Sequence, residues 1–220
     1  MSLKNKFKES GKLFRDVMVV VIGIAITFSL NTWISKKNEM KEVQQYLNAV
    51  KMELEINLKT VENFSIYHLK ARNLSNYLES CKPDAYQLDS LNYYWEVIIL
   101  NYNFFPITSA FEMFKYSGAM RLLKDKEFLA SVWYMYGHFE FLKISIDNYN
   151  QNKDVIKNNF FLSVTNDIHT QTDLAYRFSL PEAQQYISFL KVWGKSSRPE
   201  DFLSAAKQIE KILEAIERIN

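Results

Sequence analysis

The chain has 220 residues, with 27 Lys and Arg against 25 Asp and Glu and a net charge of +2. Setting aside the five basic and two acidic residues of 1–16 leaves 22 basic and 23 acidic side chains, interspersed along nearly every segment, so the concentrated basic face that nucleic acid demands is absent. Five Gly and four Pro supply few turns and few strand breaks, which predicts a mostly helical chain.

Residues 17–34 read VMVVVIGIAITFSLNTWI without a charge, which is about the shortest helix able to cross a hydrocarbon layer of roughly 30 Å. Before them, 1–16 form a basic arm with Lys4, Lys6, Lys8, Lys12 and Arg15. The end of the apolar run, Ser29-Leu30-Asn31 and then Thr32-Trp33-Ile34, offers no well-placed pair of small residues for signal peptidase, so the segment reads as an uncleaved signal anchor. Trp33 suits the headgroup level. Gly23 and Ala25 would let another helix approach closely, and Asn31 could hydrogen-bond across such a contact. Lys36, Lys37, Lys41 and Lys51 follow the span, so the positive-inside bias is slight. It places the amino terminus in the cytoplasm and the domain of residues 35–220 in the periplasm of a bacterial inner membrane. The lone Cys81 cannot form an internal bridge and gives no report on the redox compartment.

No proline occurs from residue 17 to 81 and the last glycine there is Gly23, so the membrane helix is expected to run on without a break. Met40, Val43, Leu47, Val50, Leu54, Leu58, Val61 and Phe64 recur at steps of three and four, an amphipathic stripe that wants a partner surface. Either the rest of the domain packs on it, or copies of the chain do so through Met40, Val43, Leu47, Val50 and Leu54 as a coiled coil. Lys82-Pro83-Asp84 ends this segment.

A second helix is expected over 89–101, stopped by Phe104-Phe105-Pro106. Ser109 with Glu112 predicts a capping box, and Gly118 suits the left-handed residue that closes a short helix. Asp125 opens a helix from 126 to about 165, either continuous or kinked at Gly137. Residues 166–178 read as a loop. Ser179 with Glu182 repeats the capping signal, with Pro181 in the first turn, and that helix ends near Trp193-Gly194. Ser197, Pro199 and Glu200 open the last helix, amphipathic to its end. The fold class is therefore all-α, with one transmembrane helix, a long amphipathic continuation and an irregular helical bundle.

His68, His138 and His169 have no second ligand at metal-binding spacing, so neither metal nor other cofactor is expected. His138 and Glu140, two apart on a helix, fall on different sides. There is no nucleophile elbow, phosphate loop or dinucleotide turn, and a hydrolase would need one of the histidines brought together in space with a serine or an acid. Asp125 with Glu127, and Glu214 with Glu217, sit among lysines on solvated faces. Aromatic residues make up 15% of the chain. Where they crowd, at Tyr93-Tyr94-Trp95, Phe104-Phe105 and Trp133-Tyr134-Met135-Tyr136, some must point away from their own core, as at a protein interface.

The run from Asp16 through Val-Val-Val-Ile-Gly-Ile, the Asn31-Thr-Trp33 exit, Tyr46-Leu47 and Glu53-Leu54-Glu55-Ile56-Asn57 resemble a bacterial family known only as a domain of unknown function. The segment Phe111-Glu112-Met-Phe-Lys-Tyr-Ser117-Gly118 resembles that family's central stretch. Asp16 and Met18 depart from its usual glutamate and aliphatic residue. The resemblance implies a single-pass membrane protein with a helical domain outside the cytoplasm, and it carries over no catalytic residues.

The expected function is that of a non-enzymatic, membrane-anchored interaction or scaffold protein. It would contact lipid and act as a subunit of an assembly with copies of itself or with another membrane protein. The alternative is a membrane-anchored sensor or effector whose helical domain binds a ligand.

Overall fold

The computed structural model describes residues 3–82, 85–164, 174–196 and 198–219. The helices are α1 (Leu3–Ser80), α2 (Leu88–Tyr93), α3 (Trp95–Ile99), α4 (Ser109–Ser117), α5 (Lys126–Val164), α6 (Leu174–Ser179), α7 (Gln184–Gly194) and α8 (Arg198–Ile219), and no strand occurs among the described residues.

One helix organises all the rest. With no proline to interrupt it, α1 runs unbroken for 78 residues, about 117 Å at 1.5 Å per residue. Its residues 17–34 are exposed throughout, with none of the apolar window buried. From Val43 onward one face turns inward. Val43, Leu47, Val50, Leu54 and Val61 are each at most 1% exposed. That face is covered by α8, α7 and α4 and by the short 3-10 turn Ala119–Leu122. The apolar stripe thus finds its partner within the chain.

Helix α8 lies antiparallel along α1, pinned at both ends. Lys51 reaches Glu217 at 2.8 Å, and Arg72 grips Glu200 through two nitrogens at 2.5 and 2.6 Å. Phe202, Ala205, Ile209, Ile212 and Ile216 fill the seam. Helix α7 crosses α1 further along, where Ser75 donates to the Lys191 carbonyl at 2.7 Å. The approach is close enough that a Cβ on Gly194 would lie 2.5 Å from Ser75 Cβ and 2.7 Å from the Ala71 oxygen. Helix α5 packs against α7 and α8 and also reaches α1 directly, through Tyr136 to Glu53 and Tyr149 to His68, so that the four long helices share one bundle.

Two apolar clusters result. One joins Val43–Phe64 of α1 with Phe104, α4, the first half of α5 and α8. The other joins Ala71–Leu78 with Val97, Ile98, Tyr149, Phe160, α6 and α7.

Several local expectations meet their structure directly. Gly118 is left-handed, with φ 73°, and closes α4. Asp125 caps α5 by accepting from the Phe128 amide at 2.9 Å, and α5 is one helix through Gly137. Others are corrected. Residues 88–99 form two short helices broken at Tyr94. Ser179 donates back to the Tyr176 carbonyl at 2.6 Å and so closes α6, while the next turn is the 3-10 segment Pro181–Ala183. Residues 174–178, expected as loop, are helical because Leu174 and Phe178 bury into the second cluster. The rest of that loop, with His169, and the Ser197 of the last start signal lie outside the described residues.

Candidate functional site

Between α3 and α4 the chain runs as a strap, residues 100–108, and polar side chains from α1, α5 and α7 hold it and the end of α3 that leads into it. Tyr186 donates to the Ile98 carbonyl, Lys157 to Ile99 at 3.0 Å and Lys153 to Leu100 at 2.5 Å, so that tyrosine and lysine side chains satisfy the carbonyls at the end of α3;. Asn150 donates to the Tyr102 carbonyl at 2.9 Å. Phe104, fully buried, packs edge-on to Phe64 and Phe202 at 5.3 and 5.4 Å.

The far end is held by Glu53 and Asn57, one turn apart on α1. Asn57 makes two bonds to the Ile107 backbone, giving its amide to the carbonyl at 2.7 Å and accepting from the N–H at 2.8 Å. Glu53, 5% exposed, accepts from the Ala110 amide at 2.6 Å, the Phe111 amide at 3.3 Å, the Ser109 hydroxyl at 3.3 Å and the Tyr136 hydroxyl at 2.5 Å. A carboxylate from another helix therefore caps α4, where its free amides and dipole favour negative charge. The Ser109–Glu112 capping box does not form, because the serine hydroxyl is turned to Glu53 and Glu112 pairs with Lys115 at 3.4 Å. Burial, and then the bond to Glu53, raises the Tyr136 phenol above its ordinary pKa.

Where the two apolar clusters meet lies a buried polar group. His68, 3% exposed, stacks on Phe202 at 5.5 Å and meets Tyr67 and Tyr149 edge-on. The Arg198 guanidinium sits over the rings of Tyr149 and Trp193 at 4.9 and 4.6 Å. Burial, and then the charges of Arg198 and Lys153, push His68 down to about 3. Burial followed by the charge of Lys157 pushes Lys153 down to about 7. His68 is accordingly neutral at neutral pH, and its surroundings suit packing better than proton transfer. His138, half-buried, lies against Tyr134 and Phe141. Among the described residues no three His, Cys, Asp or Glu side chains converge as a metal site would require.

Two grooves open on the surface on either side of Ile66. One, of about 510 Å³, is lined by Asn63, Tyr67, Tyr93, Tyr102 and the Lys70–Glu96 pair, with Lys70 over the Tyr93 ring at 4.8 Å. The other, of about 460 Å³, runs between α1 and α8 past Leu203 and Ala206. A third exposed apolar strip lies along α5, where Trp133, Tyr134, Phe141 and Ile144 face outward.

The residues expected at helix contacts divide. Gly23 and Asn31 share one side of α1, bordering a shallow groove with Thr27. Ala25 stands about 200° round the helix from Gly23, and Trp33, exposed and under Lys37 at 5.5 Å, is on neither side. Of the five positions offered to a second copy, Val43, Leu47, Val50 and Leu54 are buried in their own chain's core and only Met40 is exposed. That assignment is corrected, because α8 and α4 already occupy the stripe.

The sequence offers Glu53 and Asn57 only as part of a family-like run and Lys153 not at all, and the role of all three as buried anchors of the strap comes from the structure. Their signal was position: Glu53 and Asn57 interrupt the apolar face of α1, and Lys153 falls in register with Ile146, Tyr149 and Phe160 on α5. Compared with known proteins, the chain matches no family model, no curated protein and no solved structure. The resemblance to the uncharacterised membrane family therefore rests on its motifs alone.

Proposed function

We propose that this chain is a single-pass membrane protein whose helical domain is a non-enzymatic interaction module, acting as a subunit of a homo- or hetero-oligomeric membrane assembly. Residues 17–34 span the bilayer, the arm 1–16 is cytoplasmic, and the domain stands in the periplasm of a bacterial inner membrane. The observation that carries this reading is the continuity of α1: the bare apolar segment and the spine of the domain are one helix. A rigid connection of that kind fixes how the domain is presented above the membrane. The polar side chains buried in the domain hold backbone and rings in place, and the exposed aromatic surface on α5 fits a protein partner better than solvent. The experiment is the mass of the full-length protein extracted from its native membrane in mild detergent. A defined complex larger than one chain is expected, and a lone monomer in its micelle would sink the proposal.

A second reading, a sensor or effector, is favoured by the groove at Tyr67, Tyr93 and Tyr102, whose aromatic walls and charged rim suit a planar or cationic ligand. It predicts that such a ligand protects Lys70 from acylation, and it fails if no ligand class does so.

A further inference from the structure

We infer that a second copy of this chain packs in parallel and in register along the free side of α1, from within the span to the foot of the domain; this deepens the scaffold reading and rests on it. Because α1 has no break, the side bearing Gly23 and Thr27 continues past the membrane. Thr27, Asn31, Ile34, Asn38, Lys41 and Gln45 recur at alternating steps of four and three, the seven-residue period at which two helices stay in contact as a left-handed supercoil. All six are exposed. Val43 and Leu47, two residues beyond Lys41 and Gln45 and so about 200° round the helix, face the chain's own core. The domain therefore hangs on the opposite side of α1 and leaves this side open.

The occupant is indicated by charge. In this register Lys37 and Glu42 flank the seam on its two sides, five residues apart, which is the spacing at which flanking residues of two parallel, in-register helices meet. Each Lys37 then faces a Glu42 of the other copy, and symmetry makes the contact twice. In an antiparallel copy the flank bearing Lys37 would meet the same flank of its partner, and this Lys–Glu match would be lost. The polar seam residues agree with this choice, since Asn31 and Asn38 repeat at the position where asparagine pairs fix two strands in register at some cost in stability, and Asn31 at the membrane edge gains a partner for its amide. The Lys41 stem can lie in the seam with its ammonium in water. Thr27 does not compete for that partner, because its hydroxyl already donates to the Gly23 carbonyl at 2.9 Å.

The test uses the full-length chain in native membranes, with Cys81→Ser removing the natural thiol and single cysteines placed one at a time on the exposed helix, followed by oxidation. Disulfide-linked dimers are expected to peak at I34C, N38C, K41C and Q45C and to fall away at K36C and M40C. In mild detergent K37E and E42K should each lose the dimer and the double variant should regain it. Uniform cross-linking, peaks on the other side of the helix, no dimer at any position, or no rescue by the charge swap overturns the inference. Size in mild detergent, measured on the same samples, keeps the two claims apart: a larger complex without the cysteine pattern leaves the scaffold reading standing with a different partner.

Discussion

Replacing Glu53 by glutamine probes the joint between the spine and the strap. The carboxylate takes four donors, two of them the Ala110 and Phe111 amides in the first turn of α4. In the variant the remaining carbonyl oxygen can keep the Phe111 amide and the Tyr136 hydroxyl, but the new NH2 then meets the Ala110 N–H where an oxygen sat at 2.6 Å, donor against donor. A buried amide left without an acceptor costs about 1–3 kcal/mol, and removing the negative charge from the helix start costs about 0.3–1 kcal/mol more, up to about 2 in a buried setting. The expected loss is thus about 2–4 kcal/mol, or a fall in melting temperature of about 5–15 °C for a domain of this size. The assay is thermal and urea unfolding of the full-length protein in detergent, followed by tryptophan fluorescence. Glu55→Gln serves as the comparison, since Glu55 is half-exposed and pairs with Lys51 at the long distance of 3.9 Å, and should stay within about 0.5 kcal/mol. If E53Q were as stable as E55Q, the cap would not be holding α4.

Gly194→Ala should destabilise the domain by about 1–3 kcal/mol, because the new methyl would meet Ser75 Cβ and the Ala71 carbonyl and force α7 off α1;. Equilibrium unfolding checks it, and an unchanged midpoint would mean the helices are less close than described. His68, pushed down to about 3 in the fold from an ordinary 6.5, makes the unfolded chain bind the extra proton between those values. Stability should then fall as pH drops below 6.5, by at most about 1.4 kcal/mol per unit, and H68F should flatten the profile there. Lys153, pushed down to about 7 from 10.5, binds its proton more readily when unfolded across that window, so stability should rise with pH from 7 towards 10.5. K153M should remove that rise, and a slope surviving in the variant would assign it to another group.

Much of the fold could be read from residue spacing and turn chemistry. The unbroken α1 follows from a long stretch without proline, α5 from the Asp125 cap, and the end of α4 from Gly118, each a local rule with a local outcome. The capping boxes misled because Ser109 and Ser179 each found a nearer partner, the first a carboxylate brought by the tertiary fold and the second the carbonyl of Tyr176. The stripe of Val43, Leu47, Val50 and Leu54 showed that something would cover it without showing what. Only the path of the chain decides between α8 and another molecule. The strap was illegible for the same reason. Asn57 and Ile107, or Lys153 and Leu100, are about fifty residues apart in sequence, and nothing in either segment names the other.

If residues 17–34 span a bilayer, the full-length protein behaves as an integral membrane protein. Membranes from cells producing the full-length protein, washed with alkaline carbonate and sedimented, test it most directly. The protein is expected to stay with the lipid pellet; recovery in the supernatant would show that the apolar segment does not span the membrane.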